Sequence, residues 1–215
     1  ESWKRRPAEV SRAIDAVARD TRLAPLLDLD KVGVFGGSAG GHTALSFAGG
    51  AWSPARFRQH CEAHIADDFS SCVGFITRLH GNLLDGLKKW FALAVIRHRF
   101  GDDTAYTHQD PRVQATVASV PFAADFDMAS LAHPRIALGL VTAGMDVNQV
   151  PRFHSSAVLA ACQDRCTHVA HLPGASHGAM LSPMPPLHLL NDVQTALLGD
   201  PPGFDRKVLP EVDAR

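Results

Sequence analysis

The eight residues from Gly36 to Thr43, "GGSAGGHT", hold two overlapping chemistries. Gly36, Ser38 and Gly40 satisfy Gly-x-Ser-x-Gly, the sharp turn that lifts a serine out of the backbone as a nucleophile. The same letters come close to the phosphate-cradling P-loop, Gly-x-x-x-x-Gly-Lys-Ser/Thr, with His42 where the lysine belongs. Phosphate chemistry needs a long cation to reach the β- and γ-phosphates, and an Asp after an apolar strand to hold magnesium. A histidine is shorter and mostly neutral at pH 7, so it replaces that lysine poorly. Nucleophilic chemistry needs an imidazole to take the serine proton and a carboxylate to fix the tautomer of that imidazole.

Both partners lie downstream. "GLVTAGMD" closes an apolar run and puts Asp146 in the loop beyond it, and "HLPGASHG" closes the next run and puts His177 among small residues. On a parallel sheet the partners of such a serine follow in the order Ser, acid, His, each in a loop after the carboxyl end of a strand. The expected triad is Ser38, Asp146 and His177, with the N–H of Ala39, next to the nucleophile, as an oxyanion donor. Asp125, in "FAADFDM", is the alternative acid; its plainer role is that of a polar loop or helix-cap residue.

The elements that must position these residues read as α/β. "RPAEVSRAIDAVARD" predicts a helix, with Pro7 in its first turn and Val10, Ile14, Val17 and Ala18 at helical spacing. "KVGVFGG" predicts a buried strand, and a helix resumes over residues 40–48. Strands are expected in "VQATVASVPF", "RIALGLVTAG" and "THVAHLPG", with helices in "VPRFHSSAVLAAC", where Pro151 stands at the start, and in "PPLHLLNDVQTALLGD". Strands alternating with helices predict one α/β domain on a mostly parallel sheet flanked by helices. The segment 49–111 exceeds an ordinary connection and is expected to be a lid-like insertion. Its helical run "LLDGLKKWFALAVIRHRF" would either select apolar acyl groups or simply pack on the sheet.

Composition narrows the partners. The chain has 215 residues, 46% of them hydrophobic, with 21 basic against 22 acidic side chains. That balance argues against nucleic acid or an anionic membrane surface, each of which favours a basic face. No apolar run reaches the roughly 20 residues of a membrane span. Among the 12 histidines, His60 and His64 sit four apart in "HCEAH", but no third ligand is marked, so no metal site is expected. His42 reads as a packing or hydrogen-bonding residue, and His171, within a strand, as packing. None of the four cysteines forms Cys-x-x-Cys; Cys61 and Cys72 flank a loop that a disulfide could close, or they are buried free thiols.

Four stretches, "VGVFGGSAGGHTAL", "VTAGMDVNQVP", "LPGASHGAM" and "DPPGFDR", resemble the α/β-hydrolase fold. More narrowly, they resemble bacterial dienelactone-hydrolase-like esterases related to the platelet-activating-factor acetylhydrolases. The resemblance implies a serine hydrolase acting on small-molecule carboxylic esters without metal or organic cofactor, and it matches Ser38, Asp146 and His177 residue by residue. It also implies export to the periplasm or beyond, consistent with a Cys61–Cys72 bridge. Dienelactone hydrolase itself uses a cysteine nucleophile, so Ser38 points to the esterase-like relatives. One departure stands out: such a fold places several strands before the nucleophile, whereas a single helix precedes Ser38. The chain therefore reads as the carboxyl-terminal portion of that fold, lacking the N-terminal strands and the loop that gives a second oxyanion N–H. Loss of one such donor typically costs about 10²–10³ in rate. The missing strands would leave an apolar sheet edge open to self-association, and an inactive fragment that binds a ligand or partner is the alternative function.

Overall fold

The computed structural model describes residues 2–74, 76–181 and 184–213. Its centre is an all-parallel sheet of four strands in sequential order: β1 (Val32–Gly37), β2 (Val113–Ser119), β3 (Ala137–Ala143) and β4 (Thr167–Leu172). The helices are α1 (Ser2–Arg19), α2 (Ala39–Phe47), α3 (Pro54–His64), α4 (Phe69–Val73), α5 (Leu84–Arg99), α6 (Ser155–Cys162), α7 (Asp192–Leu198) and α8 (Leu209–Asp213).

The sheet register puts Val34, Thr116 and Leu138 on one face, with Ala118 and Leu140 beside them. Ala44 and Leu45 of α2, Ala48 just after it, and Val158 and Cys162 of α6 close the core over Ala118, Leu138 and Leu140. Ile14 of α1 joins Phe47 and Val113 at the amino-terminal side of that layer. The opposite face is less covered. Phe35 is 61% exposed and Ala115 and Ala137 are exposed as well, although parallel sheets normally bury both faces. Beyond the strand ends the same side is closed by Ala175, Ala179 and Leu209 packing on Ala143 and Leu172. β1, which leads into Ser38, is an edge strand of the described sheet.

Several elements differ from their sequence patterns for local reasons. α1 begins at Ser2, so Pro7 lies inside the helix rather than in its first turn. The early turn is held by Trp3, whose ring packs 4.4 Å from His42 and 5.3 Å from Phe122 between centroids. β2 stops at Ser119 because Val120 turns to φ 37° and Pro121 has no N–H to continue the ladder. The carboxyl-terminal helix shrinks to α7, started by Asn191 and Gln194 in a reciprocal capping box after two prolines. His171 is exposed on β4 rather than packed, with Nδ1 2.7 Å from Thr142 Oγ1.

The long segment 49–111 folds into α3, α4 and α5 around Cys61, Cys72 and Ile96. Cys61 and Cys72 are bridged, and so are Cys162 and Cys166. No helix among the described residues is long and apolar enough to cross a membrane.

Candidate active site

The turn after β1 carries two constraints that its sequence encodes. Ser38 has φ 54° and ψ −114°, a conformation that costs a non-glycine residue of order 1–3 kcal/mol and persists only where its surroundings impose it. A Cβ at Gly36 would overlap the carbonyl of Gly40, and one at Gly41 would come within 2.7 Å of Pro121 Cα. Glycines at those positions let strand, turn and helix close together. The strain is held by the neighbouring strand end: Ser38 N–H donates to Ser119 C=O at 3.0 Å, and Phe122 N–H donates to Ser38 C=O at 3.2 Å. Val120, between those two anchors, is itself in the left-handed region, where a β-branched side chain is a rare outlier. Two strained residues thus sit side by side at one cavity.

The acid and the imidazole meet. His177 Nδ1 lies 2.7 Å from Asp146 Oδ2, with both side chains buried. Asp146 Oδ1 accepts the N–H groups of Asn148 and Gln149, each at 2.9 Å, so both carboxylate oxygens are engaged. The loops carrying them are sewn together, because Gly144 N–H donates to Leu172 C=O and Met145 N–H to Ala175 C=O, both at 2.9 Å. A side chain at Gly144 would run into the Pro173 carbonyl 2.6 Å away. With Oδ2 on Nδ1, the Nε2 of His177 is the ring nitrogen left to serve as base.

Ser38 and His177 line one cavity of about 310 Å³, shared with Phe35, Val120, Met180 and leucines of α7. The hydrogen bond made by the Ser38 hydroxyl is to Gln149, whose Nε2 donates to Oγ at 3.1 Å; none to His177 is formed among the described residues. Catalytic hydrogen bonds of this kind often tighten only once substrate is bound. Ala39 opens α2 directly after Ser38, so its amide is one of the helix's leading N–H groups, which have no acceptor within the helix.

Asp125 is not beside His177. Its Oδ2 lies 3.1 Å from Nε2 of His42, and both side chains are buried among Trp3, Trp52 and Phe126. His42 therefore points into the core, away from where a P-loop lysine would reach a phosphate. Among the described residues, those of the segment 49–111 contribute none of the side chains lining the Ser38 cavity. Trp52 and Phe57 of that segment line a separate aromatic cavity of about 220 Å³. His60 Nε2 bonds Asp68 at 2.8 Å, and among the described residues no group of three or more His, Cys, Asp or Glu is arranged to hold a metal.

Two positioning residues escape sequence reasoning. Gln149 is one. Arg206 is the other: it pairs with Asp200 at 2.7 Å and donates to the carbonyls of Leu181 and Gly178 at 2.9 and 3.2 Å, clamping the loop that carries His177. Its only signal is its place in "DPPGFDR", a stretch that matters through backbone carbonyls far away in sequence. No protein-family model, curated protein or solved structure matches this chain.

Proposed function

We propose that the chain is a serine hydrolase that cleaves carboxylic esters through an acyl-enzyme on an α/β-hydrolase fold. The observation that carries this reading is Ser38, held at positive φ on a strand-to-helix turn, in the same cavity as an imidazole whose other nitrogen is bonded to a buried carboxylate. The three residues stand in loops after the carboxyl ends of β1, β3 and β4, as the mechanism on this kind of sheet requires.

Ser38 Oγ attacks the ester carbonyl carbon while His177 Nε2 takes the hydroxyl proton. The oxyanion is met by the Ala39 amide, with the Gln149 carboxamide beside the nucleophile. His177 then gives its proton to the departing alkoxide, leaving an ester on Ser38. Water enters, loses its proton to His177 and attacks the same carbonyl, and the acid leaves as Ser38 recovers its hydrogen. Asp146 keeps Nδ1 protonated and stabilises the imidazolium throughout. The two disulfides suit an oxidising compartment, periplasmic or extracellular.

Hydrolysis of p-nitrophenyl butyrate tests the reading. The expected result is turnover that Ser38→Ala reduces at least about 10³-fold, in line with loss of a nucleophile. Turnover equal in the two proteins would reject it. The second reading, an inactive hydrolase-fold fragment that binds a ligand or partner, gains from the Ser38 hydroxyl being bonded to Gln149 rather than to His177. It predicts no turnover, with thermal stabilisation by the unhydrolysed ester.

A further inference from the structure

The cavity beside Ser38 has a one-sided chemistry. Apart from Ser38 and His177, the described side chains that shape it are Phe35, Val120, Met180, Leu181, Leu197 and Leu198, and no Asp, Glu, Lys or Arg among the described residues lines it. Gly37 and Gly178 contribute backbone alone, and Ser119 is fully buried. The leucine wall is tied to the base. A Cβ at Gly178 would meet Leu198 Cα at 2.5 Å, and Ser176 Oγ donates to Gly199 C=O at 2.6 Å. The last turn of α7 and the His177 loop therefore form one unit, so the wall is preorganised with respect to the imidazole.

We infer that the substrate of this site carries an uncharged aliphatic chain, seated against Leu181, Leu197, Leu198 and Met180; this rests on reading Ser38, Asp146 and His177 as a hydrolytic triad. A charged or heavily hydrated chain would be stripped of water there with no partner to replace it. Each methylene that leaves water for such a wall adds about fourfold to kcat/KM, from the transfer value of a buried CH₂. The apolar wall adjoins both Ser38 and His177, so the chain belongs to the acyl group or to the alcohol, and the cavity chemistry is the same for either.

Two substrate series separate those sources in one preparation of the intact protein. One lengthens the acyl chain of p-nitrophenyl esters from acetate to hexanoate. The other lengthens the alcohol of alkyl acetates from methyl to pentyl, followed by acid release. One series is expected to rise about fourfold per methylene before levelling. A p-nitrophenyl or alkyl ester whose chain ends in a carboxylate is expected to fall at least about tenfold below its uncharged equal. Leu181→Asp, a change at a residue 40% exposed and so compatible with folding, is expected to flatten the rising series. Flat or falling rates in both series, or equal use of the carboxylate-ended ester, would overturn the inference while fluorophosphonate labelling of Ser38 still upheld the triad. An unlabelled Ser38 would remove both together.

Discussion

Gln149 donates from its side-chain Nε2 to Ser38 Oγ at 3.1 Å, and its backbone N–H donates to Asp146 at 2.9 Å. One residue is thereby bonded both to Ser38, the proposed nucleophile, and to Asp146, the proposed acid. The side-chain carbonyl of Gln149 is buried and has no partner among the described residues, a costly arrangement unless the amide does something useful. Gln149→Leu should lower kcat about 10²-fold, the scale of one lost electrostatic donor, while leaving the melting temperature unchanged or higher. A steady-state comparison beside a thermal melt checks both halves. An unchanged kcat would make the contact incidental.

Arg206 bonds the loop that carries His177, the proposed base. Removing it leaves the carbonyls of Gly178 and Leu181 without their donor and frees the turn around His177. Arg206→Met should reduce kcat by about 10–10² while altering KM less, since displacing a catalytic group by about 1 Å costs that much. A lysine at the same place cannot reproduce the forked contacts to Asp200 and two carbonyls, so Arg206→Lys should recover only part of the rate.

These two residues mark where sequence reading ends. The turn around Ser38 was legible because close approach of strand and helix demands glycine at Gly36 and Gly41, and that demand survives as letters. The pairing of Asp146 with His177 followed from chain order and from adjacent parallel strands. Gln149 carries no such mark; its importance arises only when the loop after β3 folds back over the nucleophile. The positive φ of Val120 is equally silent, since valine normally avoids it. The run "LLDGLKKWFALAVIRHRF" suggested either a substrate-selecting lid or a helix packed on the sheet, because hydrophobic letters cannot say what they face. Of the leucines at the cavity, Leu197 and Leu198 belong to α7 and Leu181 to the segment after His177.

A separate polar network should set the acid limit of stability. Burial raises the pKa of Asp68, but hydrogen bonds from His154 and His60, attraction to His154 and a contact with Ser71 together outweigh it, and the carboxyl is held well below its usual range. A folded-state pKa below the unfolded value stabilises the protein above the unfolded pKa, and that contribution is lost as pH falls through the folded one. Stability should thus decline as pH drops below about 4, the ordinary carboxyl range. Asp68→Asn should be less stable at pH 7 and show a shallower decline below pH 4. Denaturant melts across pH 2–7 measure the difference, and parallel curves would contradict it.

The Cys61–Cys72 bridge closes a loop with a sequence separation of 11. Restricting a loop of this size in the unfolded chain stabilises the native state by about 3 kcal/mol. The double variant Cys61→Ala, Cys72→Ala should lose about that much in urea unfolding. Its catalytic parameters at low temperature should be preserved, because the bridge lies in the α3–α4 layer and not among the residues lining the Ser38 cavity.

The most direct measurement is covalent. The folded protein is treated with a fluorophosphonate, its intact mass is recorded, and the modified peptide is sequenced. A single adduct on Ser38, greatly slowed by His177→Ala and absent in Ser38→Ala, is the result expected of an activated serine. A folded protein that stays unlabelled at Ser38, or that reacts as fast without the imidazole, would contradict the account.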